Sequence, residues 1–311
     1  MRILKLRWLV VLGAVLASAA AYPAFASATV PKPVQAYYMF GTTVAGLVNG
    51  AYADGCDFAT HQPDNQTDIM LLDFGAPRKL ASGELGAVDF SNTTFTNASI
   101  LQALKSAADG YHDCHVRGAV IIEYGNSNYH MSNVGMTNTD AWNAGFAQEA
   151  TAEALSNYQD AHGYSSQGAG AASDIEPSYD GPLISKQLVN GATAQGWGAY
   201  DNFGSVDGCP TSGSSNGQCN NGWDVSDVGY VSFHGIAVPL PEIYYTVSAS
   251  QWTVIRKYWN AHVAPNYFFD GITGATPAPS GGVNATTGWS TLNSKNSGYV
   301  GDNLVCYGSG C

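Results

Sequence analysis

The fold is decided by Gly168-Ala169-Gly170-Ala171-Ala172-Ser173-Asp174-Ile175-Glu176-Pro177, a stretch in which small residues lead into two carboxylates and a proline. Residues i and i+2 of a β-strand share a face, so Asp174 and Glu176 should project together from the end of a strand. The small residues before them suit a strand in a crowded interior. Paired carboxylates, one protonated and one charged, are the working groups of glycoside hydrolysis. The stretch therefore predicts a strand that ends in a pair of catalytic acids.

Short β-rich runs alternate with helix-like segments along the whole chain, a pattern typical of a parallel sheet with crossover helices. The predicted strands are residues 35–41, 69–74, 118–124, 168–175, 196–202, 228–233, 242–246 and 267–271. Because eight parallel strands close a barrel, we predict an α/β fold of the (β/α)8 TIM-barrel class, with disulfides.

Apolar residues at mixed spacings of three and four indicate amphipathic helices between these runs. The predicted helices are residues 98–108, 139–161, 185–195 and 249–262. Thr139 or Asp140 is expected to cap the second of them. The segments after the first, fifth and sixth runs are weaker as helices, so a decorated or incomplete barrel stays open.

Acids follow several of the apolar runs, where the active sites of barrels gather. Besides Asp174 and Glu176, they are Asp73, Glu123, Asp201 and Asp270. We expect all six to converge on one pocket. An acid before Gly, Asn or Pro is also ordinary turn and capping chemistry, so the pair carries more of the functional prediction than any single acid. The predicted catalytic residues are Glu176, Asp174 and Asp73.

Within the pair, Glu176 is the predicted general acid, because an apolar pocket and the charge of Asp174 should raise its pKa towards neutrality. Asp174 should stay ionised and stabilise oxocarbenium charge, act as nucleophile or orient a substrate N-acetyl group. An inverting base can equally come from Asp73, Asp201 or Asp270, so the sequence leaves the stereochemical outcome open.

Aromatic and amide side chains near the predicted strand ends suit the rings and hydroxyls of a sugar, although such rings pack equally well in cores. The predicted substrate-binding residues are Glu123, Tyr124, Asn126, Tyr179, Asp201, Tyr245 and Asp270. Further candidates for the cleft are Asn128, Tyr200, Asn202, Phe203 and Trp223.

The six cysteines are even in number and lack paired C-x-x-C spacing, which favours disulfides over zinc. A disulfide between Cys209 and Cys219 would close a Gly/Ser/Asn-rich loop, and one between Cys306 and Cys311 would fix the C-terminal residues. That leaves Cys56 to pair with Cys114.

The N-terminus predicts export, because Arg2, Lys5 and Arg7 precede an apolar run and a small-residue cleavage signature. We assign residues 1–28 to a signal peptide and residues 29–311 to one domain that is secreted. Cleavage removes three of the 12 Lys and Arg and none of the 24 Asp and Glu, which takes the net charge from -12 to -15. Such acidity argues against nucleic acid and anionic membranes as partners. We expect a monomer that binds carbohydrate and has no membrane span after cleavage.

Other chemistries find little support in the sequence. The stretch His112-Asp113-Cys114-His115 invites a metal interpretation, but Cys114 is predicted to be disulfide-bonded and no second ligand cluster accompanies it. No G-x-S-x-G elbow is present, and neither a phosphate-binding loop nor a dinucleotide-binding context follows any predicted strand. We therefore predict no metal and no organic cofactor.

Several segments resemble a family of secreted actinobacterial glycoside-hydrolase-like proteins. They are Gly-Ala-Gly-Ala-Ala-Ser-Asp-Ile-Glu, Tyr-Gly-Asn-Ser-Asn, Asp-Asn-Phe-Gly-Ser-Val-Asp-Gly-Cys-Pro and Leu-Pro-Glu-Ile-Tyr. The resemblance covers nearly all of the chain after the signal. That family is similar in fold to glycoside hydrolase family 25 muramidases, which carry a D-x-E at the end of the fourth strand.

The resemblance places Asp174 and Glu176 on the D-x-E motif and implies that Glu176 is the proton donor, whereas Asp73 has no secure counterpart. The D-x-x-D-x-D-x-E motif of chitinases fits worse, because Ala169 and Ala172 stand where its earlier aspartates would be. The leading hypothesis is a secreted hydrolase of a polysaccharide, and resemblance and export favour bacterial cell-wall glycan. The alternatives are a non-catalytic glycan-binding barrel and a calcium-stabilised structural protein.

Overall fold

The structure of the chain is a computed structural model that describes residues 29–63, 65–114, 118–308 and 311. The predicted signal peptide, residues 1–28, lies outside the described residues. Within the described part of the chain, no helix is both long enough and apolar enough to cross a membrane.

The described residues form twelve strands and seven α-helices. The strands are β1 (Val34–Gln35), β2 (Tyr37–Tyr38), β3 (Thr67–Asp73), β4 (Ala76–Lys79), β5 (Leu85–Val88), β6 (Thr94–Thr96), β7 (Ala119–Ser127), β8 (Gln167–Asp174), β9 (Tyr200–Asn202), β10 (Ala237–Pro239), β11 (Phe269–Ala275) and β12 (Val300–Tyr307). The helices are α1 (Val44–His61), α2 (Asn97–Asp113), α3 (Asn138–His162), α4 (Pro182–Gln195), α5 (Val225–Phe233), α6 (Thr246–His262) and α7 (Ala285–Lys295).

The chain folds as an α/β structure with a six-stranded parallel sheet in the order β10-β9-β8-β7-β3-β2. A second parallel sheet has the order β1-β12-β11. Only Ala36 separates β1 from β2, and its backbone N–H donates to the Cys306 carbonyl at 2.8 Å. At the other edges, Glu242, just after β10, forms a parallel bridge with Thr273 of β11.

A short antiparallel hairpin sheet, β4-β5-β6, is inserted between β3 and α2. It begins directly after Asp73, because Gly75 has a φ of 86° that turns the chain out of the parallel sheet. The hairpin sheet therefore stands at the carboxyl end of β3, beside the residues that form the site.

The central strands are buried on both faces, as expected for a parallel sheet with helices packed on it. Residues of β3 from Asp68 to Asp73 are all buried. The small residues of β8 leave space for a side chain of the neighbouring strand, because a Cβ at Gly170 would lie 3.3 Å from Cγ of Glu123. The small-residue run before Asp174 thus makes room for another buried acid.

Helices pack pairwise with very close backbones. A Cβ at Gly55 of α1 would lie 2.1 Å from the carbonyl oxygen of Ala107 in α2, and one at Gly145 of α3 would lie 1.9 Å from that of Leu188 in α4. Contacts this short leave no room for a side chain, so glycine is required at both crossings.

All three predicted disulfides are present: Cys56 with Cys114, Cys209 with Cys219, and Cys306 with Cys311. The first joins α1 to the residue after α2, and the last ties the end of the chain to β12. The disulfide pattern is therefore confirmed.

The four predicted helices are confirmed as α2, α3, α4 and α6, and the weak segment after the first run forms the 18-residue helix α1. The predicted cap of α3 is wrong. Thr137 occupies the N-cap, with its side chain and that of Asp140 in a capping box. Asp140 is therefore in the first turn of the helix.

The strand predictions hold for residues 69–74, 118–124 and 168–175. They hold partly for residues 35–41, where only Gln35, Tyr37 and Tyr38 are in strands, and for residues 267–271, where β11 begins. Only the last three residues of 196–202 form β9, since Gly196 is the left-handed C-cap of α4. Residues 228–233 are helical, because a capping box of Asp224 and Asp227 starts α5. The run 242–246 is also not a strand, as β10 lies before it. The predicted runs do not include the strands β4 to β6, β10 and β12.

Candidate functional site

Three carboxylates meet at the carboxyl ends of the parallel strands. Asp174 is the last residue of β8, Glu176 lies two residues beyond it, and Glu242 follows β10. One oxygen of each lies within 4.8 Å of the others. Glu176 is buried, whereas Asp174 and Glu242 are half-buried. We call Asp174, Glu176 and Glu242 the carboxylate triad.

The backbone around Glu176 is fixed by an amide side chain on the neighbouring strand end. Oδ1 of Asn128 accepts from the Glu176 backbone N–H at 3.0 Å, and its Nδ2 donates to the Glu176 carbonyl at 3.1 Å. The Ser178 hydroxyl donates to Oε2 of Glu176 at 2.8 Å. Asn202 contributes by accepting from the Ile175 N–H at 3.3 Å. Asn128 and Asn202 are thus placed to position Glu176.

Burial and mutual repulsion raise the pKa values of the carboxylate triad. Burial, followed by the charges of Glu176 and Glu242, raises the pKa of Asp174 well above its usual range. Burial and the charge of Glu176 do the same for Glu242. Burial also raises the pKa of Glu176, against the lowering effect of the Ser178 hydrogen bond. Three carboxyl groups this close cannot all ionise, so the triad holds protons near neutral pH. This differs from the expectation that Asp174 stays ionised.

Asp73, at the end of β3, belongs to the same region. It is buried, and its Oδ1 accepts from the Gly75 N–H at 2.9 Å. Burial raises the pKa of Asp73 to about 7. Asp73 and Asp174 both line a cleft of about 450 Å³.

Aromatic rings and the hairpin sheet complete this cleft. Its lining residues are Tyr38, Asp73, Gly75, Ala76, Arg78, Val88, Asp89, Phe90, Asn92, Ser127, Tyr129, Asp174 and Tyr179. Tyr38 stacks on Tyr307 with ring centroids 4.5 Å apart, and Tyr129 meets Tyr179 edge to face at 5.1 Å. The cleft thus combines carboxyl groups with flat apolar faces.

The other predicted acids form a second, buried cluster that includes Glu123, Asp201, Asp270 and, from α3, Glu149. Burial, followed by the charge of Asp201, raises the pKa of Glu123 well above its usual range. Burial, followed by the charge of Asp270, raises the pKa of Asp201 to about 8. The six acids predicted to share one pocket are therefore divided between two clusters.

Most of the predicted aromatic and amide residues lie in the core. Tyr124 donates to Oδ1 of Asn97 at 3.2 Å, and Asn126 accepts from Ser173. Tyr200, Phe203 and Trp223 are also buried. Of the predicted aromatic residues, Tyr179 lines the cleft.

Tyr245 lies exposed at the N-cap of α6. Its neighbour Tyr244 lies close to the carboxylate triad, since burial and then the charge of Glu242 raise its pKa. Burial and charges that include those of the triad also raise the pKa values of Tyr38 and Tyr179.

Sequence reasoning missed Glu242, Tyr38 and Phe90. Glu242 was included in a predicted strand, although Pro241 before it marks the end of one. Tyr38 ends β2 in the structure, whereas the predicted run continues to residue 41, so Tyr38 carried no strand-end signal. Phe90 lies in the turn between β5 and β6, in a hairpin sheet that the sequence pattern does not predict.

A metal ion would find its oxygen ligands in the carboxylate triad, which is the only such group of three or more among the described residues. The stretch His112-Asp113-Cys114-His115, considered above as a metal site, does not provide such a set of ligands. Cys114 is disulfide-bonded, and His115 lies outside the described residues. The geometry of the triad suits either carboxyl chemistry or a hard cation such as Ca²⁺.

Comparison of the chain with models of known protein families and with curated proteins finds no match.

Proposed function

We propose that the two parallel sheets form one (β/α)8 barrel. In this arrangement β1 and β2 act as a single strand that belongs to both sheets, and the bridge between Glu242 and Thr273 joins the remaining edges. Counted in this way, eight parallel strands surround the interior, and seven helices follow the first seven of them. The carboxylate triad then lies at the carboxyl end of the barrel, where enzymes of this fold carry their active sites.

We further propose that the protein is a secreted glycoside hydrolase. The observation that carries this proposal is the carboxylate triad, of which Asp174 lines a cleft that also contains aromatic rings. Carboxyl groups with raised pKa values are the acid catalysts of glycoside hydrolysis at neutral pH. Three disulfides and the predicted signal peptide support an oxidising, extracellular location.

In the proposed reaction, Glu176 donates its proton to the glycosidic oxygen as the bond from that oxygen to the anomeric carbon breaks. Asp174 releases its proton to solvent as positive charge develops on the sugar, because that charge lowers the pKa of a nearby carboxyl group, and it takes a proton back from solvent once water has added to the sugar. Water supplies the hydroxyl of the new reducing end and a proton that restores Glu176.

The test is release of reducing ends by the mature protein and by Glu176→Gln from peptidoglycan, chitin, arabinan, galactan and glucans. We expect the parent to act on at least one of them and the variant to be slower by at least about a hundredfold, the scale of lost general acid catalysis. Glu84→Gln, at an exposed position in the loop between β4 and β5, is the matched control and should keep full activity. Equal release by parent and Glu176→Gln, with both folded, rules out the assignment.

A second candidate is a non-catalytic glycan-binding barrel, which the exposed aromatic rings of the cleft favour. Such a protein would bind one of these glycans and release nothing from it. Binding recorded in the same samples separates the two functions, because a binding protein retains its ligand without any gain of reducing ends.

A further inference from the structure

Aromatic side chains that remain exposed gather at one end of the cleft. Phe40 and Phe90 are 53% and 49% exposed, and Tyr38 beside them is 44% exposed. The rings of Tyr38 and Phe90 lie 4.8 Å apart, and those of Phe40 and Phe90 lie 5.9 Å apart. We call Tyr38, Phe40 and Phe90 the hairpin platform. An apolar patch of this kind on a protein surface marks an interaction site.

Hydrogen bonds to Asp89 fix the backbone segments that carry Phe40 and Phe90 of the hairpin platform. This buried carboxylate accepts from the backbone N–H groups of Ser91 at 2.9 Å and Thr93 at 2.8 Å, which fixes the turn that presents Phe90. Its other oxygen accepts from the Gly41 N–H at 3.2 Å, next to Phe40. One side chain therefore ties together the two segments of the platform. Such preorganisation lowers the entropy that a ligand must lose on binding.

A second set of rings lines the cleft from other loops. Tyr129, after β7, is 47% exposed and meets Tyr179, after β8. Asp73 and Asp174 line the same cleft as these two rings and as Tyr38 and Phe90. One sugar ring covers one aromatic face, so rings supplied by separate loops match a chain of sugars better than a single unit.

The charges of the cleft restrict which chain fits. Its lining carries the acids Asp73, Asp89 and Asp174 against the single guanidinium of Arg78. The cleft therefore offers a polyanionic glycan one cation to pair with, and the chain after the predicted signal peptide carries a net charge of -15, which repels a polyanion. A neutral polysaccharide has no such penalty, and the apolar faces of its rings can stack on the platform.

We propose that the hairpin platform is a sugar-binding subsite that extends the cleft and holds an interior unit of a neutral polysaccharide chain. The proposal rests on the proposed function for the identity of the ligand, and it adds that the substrate is a polymer. Phe90 and Phe40 are then specificity residues for chain length, distinct from the carboxyl groups that act on the bond.

The test is the affinity of Glu176→Gln for neutral hexasaccharides and disaccharides of N-acetylglucosamine, glucose and arabinose, measured by calorimetry. We expect binding of at least one hexasaccharide. Phe90→Ala added to this background should weaken that binding by about tenfold, the scale of one aromatic contact, and change disaccharide binding by less than about twofold. Phe90→Trp should restore it.

The matched control is Phe146→Ala, because Phe146 is a 40% exposed ring of α3 that belongs neither to the lining of the cleft nor to the hairpin platform. Its removal should leave hexasaccharide affinity unchanged. If Phe90→Ala does not fold, Phe40→Ala provides the same comparison and should also weaken hexasaccharide binding.

Failure of the subsite and failure of the hydrolase are distinguishable. Hexasaccharide binding that is absent, or unchanged by Phe90→Ala and Phe40→Ala, overturns the subsite even where the parent releases reducing ends. Binding that depends on Phe90 supports the subsite even where the parent releases nothing, and in that case only the catalytic proposal fails.

Discussion

The buried acid Glu149 should make this protein less stable as the pH rises. Its side chain lies fully buried on α3, where Oε2 accepts from the Gly198 N–H at 3.2 Å and Oε1 has no hydrogen-bond partner. Burial, followed by the charges of Asp201 and Glu153, raises the pKa of Glu149 to about 8, against the lowering effect of the Gly198 hydrogen bond. The perturbation that tests this is Glu149→Gln, which keeps the shape and removes the titration.

The sign and size follow from linkage between protonation and folding. In the unfolded chain a glutamate has a pKa of about 4.3, so between roughly pH 4.3 and 8 the folded state holds a proton that the unfolded state has lost. The stabilisation is complete below the unfolded pKa and disappears as the pH rises through the folded pKa. At about 1.4 kcal/mol per pH unit, the free energy of unfolding falls by at most about 3.5 kcal/mol between pH 5 and pH 8 on account of this group.

Urea unfolding at pH 5 and pH 8 measures this directly. We expect the loss of stability over that interval to be about 2 to 3.5 kcal/mol smaller in Glu149→Gln than in the parent. The acids Glu123, Asp201 and Asp270 are present in both proteins, so the difference reports the titration of Glu149 together with its effect on the pKa of Glu123. Glu84→Gln, at an exposed position, should keep the parent's pH dependence. Identical pH dependence in the parent and in Glu149→Gln would refute the reasoning.

Two further experiments, both by urea unfolding, test the packing of the helices and the first disulfide. Gly55→Ala should destabilise the fold by about 1 to 3 kcal/mol, because the new Cβ meets a carbonyl oxygen of α2. The control Gly50→Ala, on the same helix, has open space around the new Cβ and should be neutral or stabilising by up to about 1 kcal/mol. Equal effects of the two substitutions on the free energy of unfolding would contradict the close crossing of α1 and α2. Replacing Cys56 and Cys114 with serine should cost about 4 kcal/mol, as expected for opening a loop with a sequence separation of 58 residues, and an unchanged urea midpoint would argue against this disulfide.

Local periodicity explains which predictions succeeded. The helices α2, α3, α4 and α6 repeat apolar residues at spacings that a single sequence displays, and the D-x-E alternation placed Asp174 at the end of β8. The failure at α5 has the same origin. A short apolar run such as 228–233 suits a buried strand as well as a helix, and the capping box at Asp224 decided between them.

The sequence by itself determined the alternation of strands and helices, the disulfide pairs, and Asp174 and Glu176 as the acids at the end of β8. Only the tertiary structure decided that Glu242 joins them and that Glu123 and Asp201 form a separate buried cluster. The physical reason is that neighbourhood in a parallel sheet depends on strand order, register and which face a side chain occupies across distant segments. A local sequence pattern predicts on which face of its own strand a side chain lies. The distance between side chains on two different strands depends on how all the strands pack together.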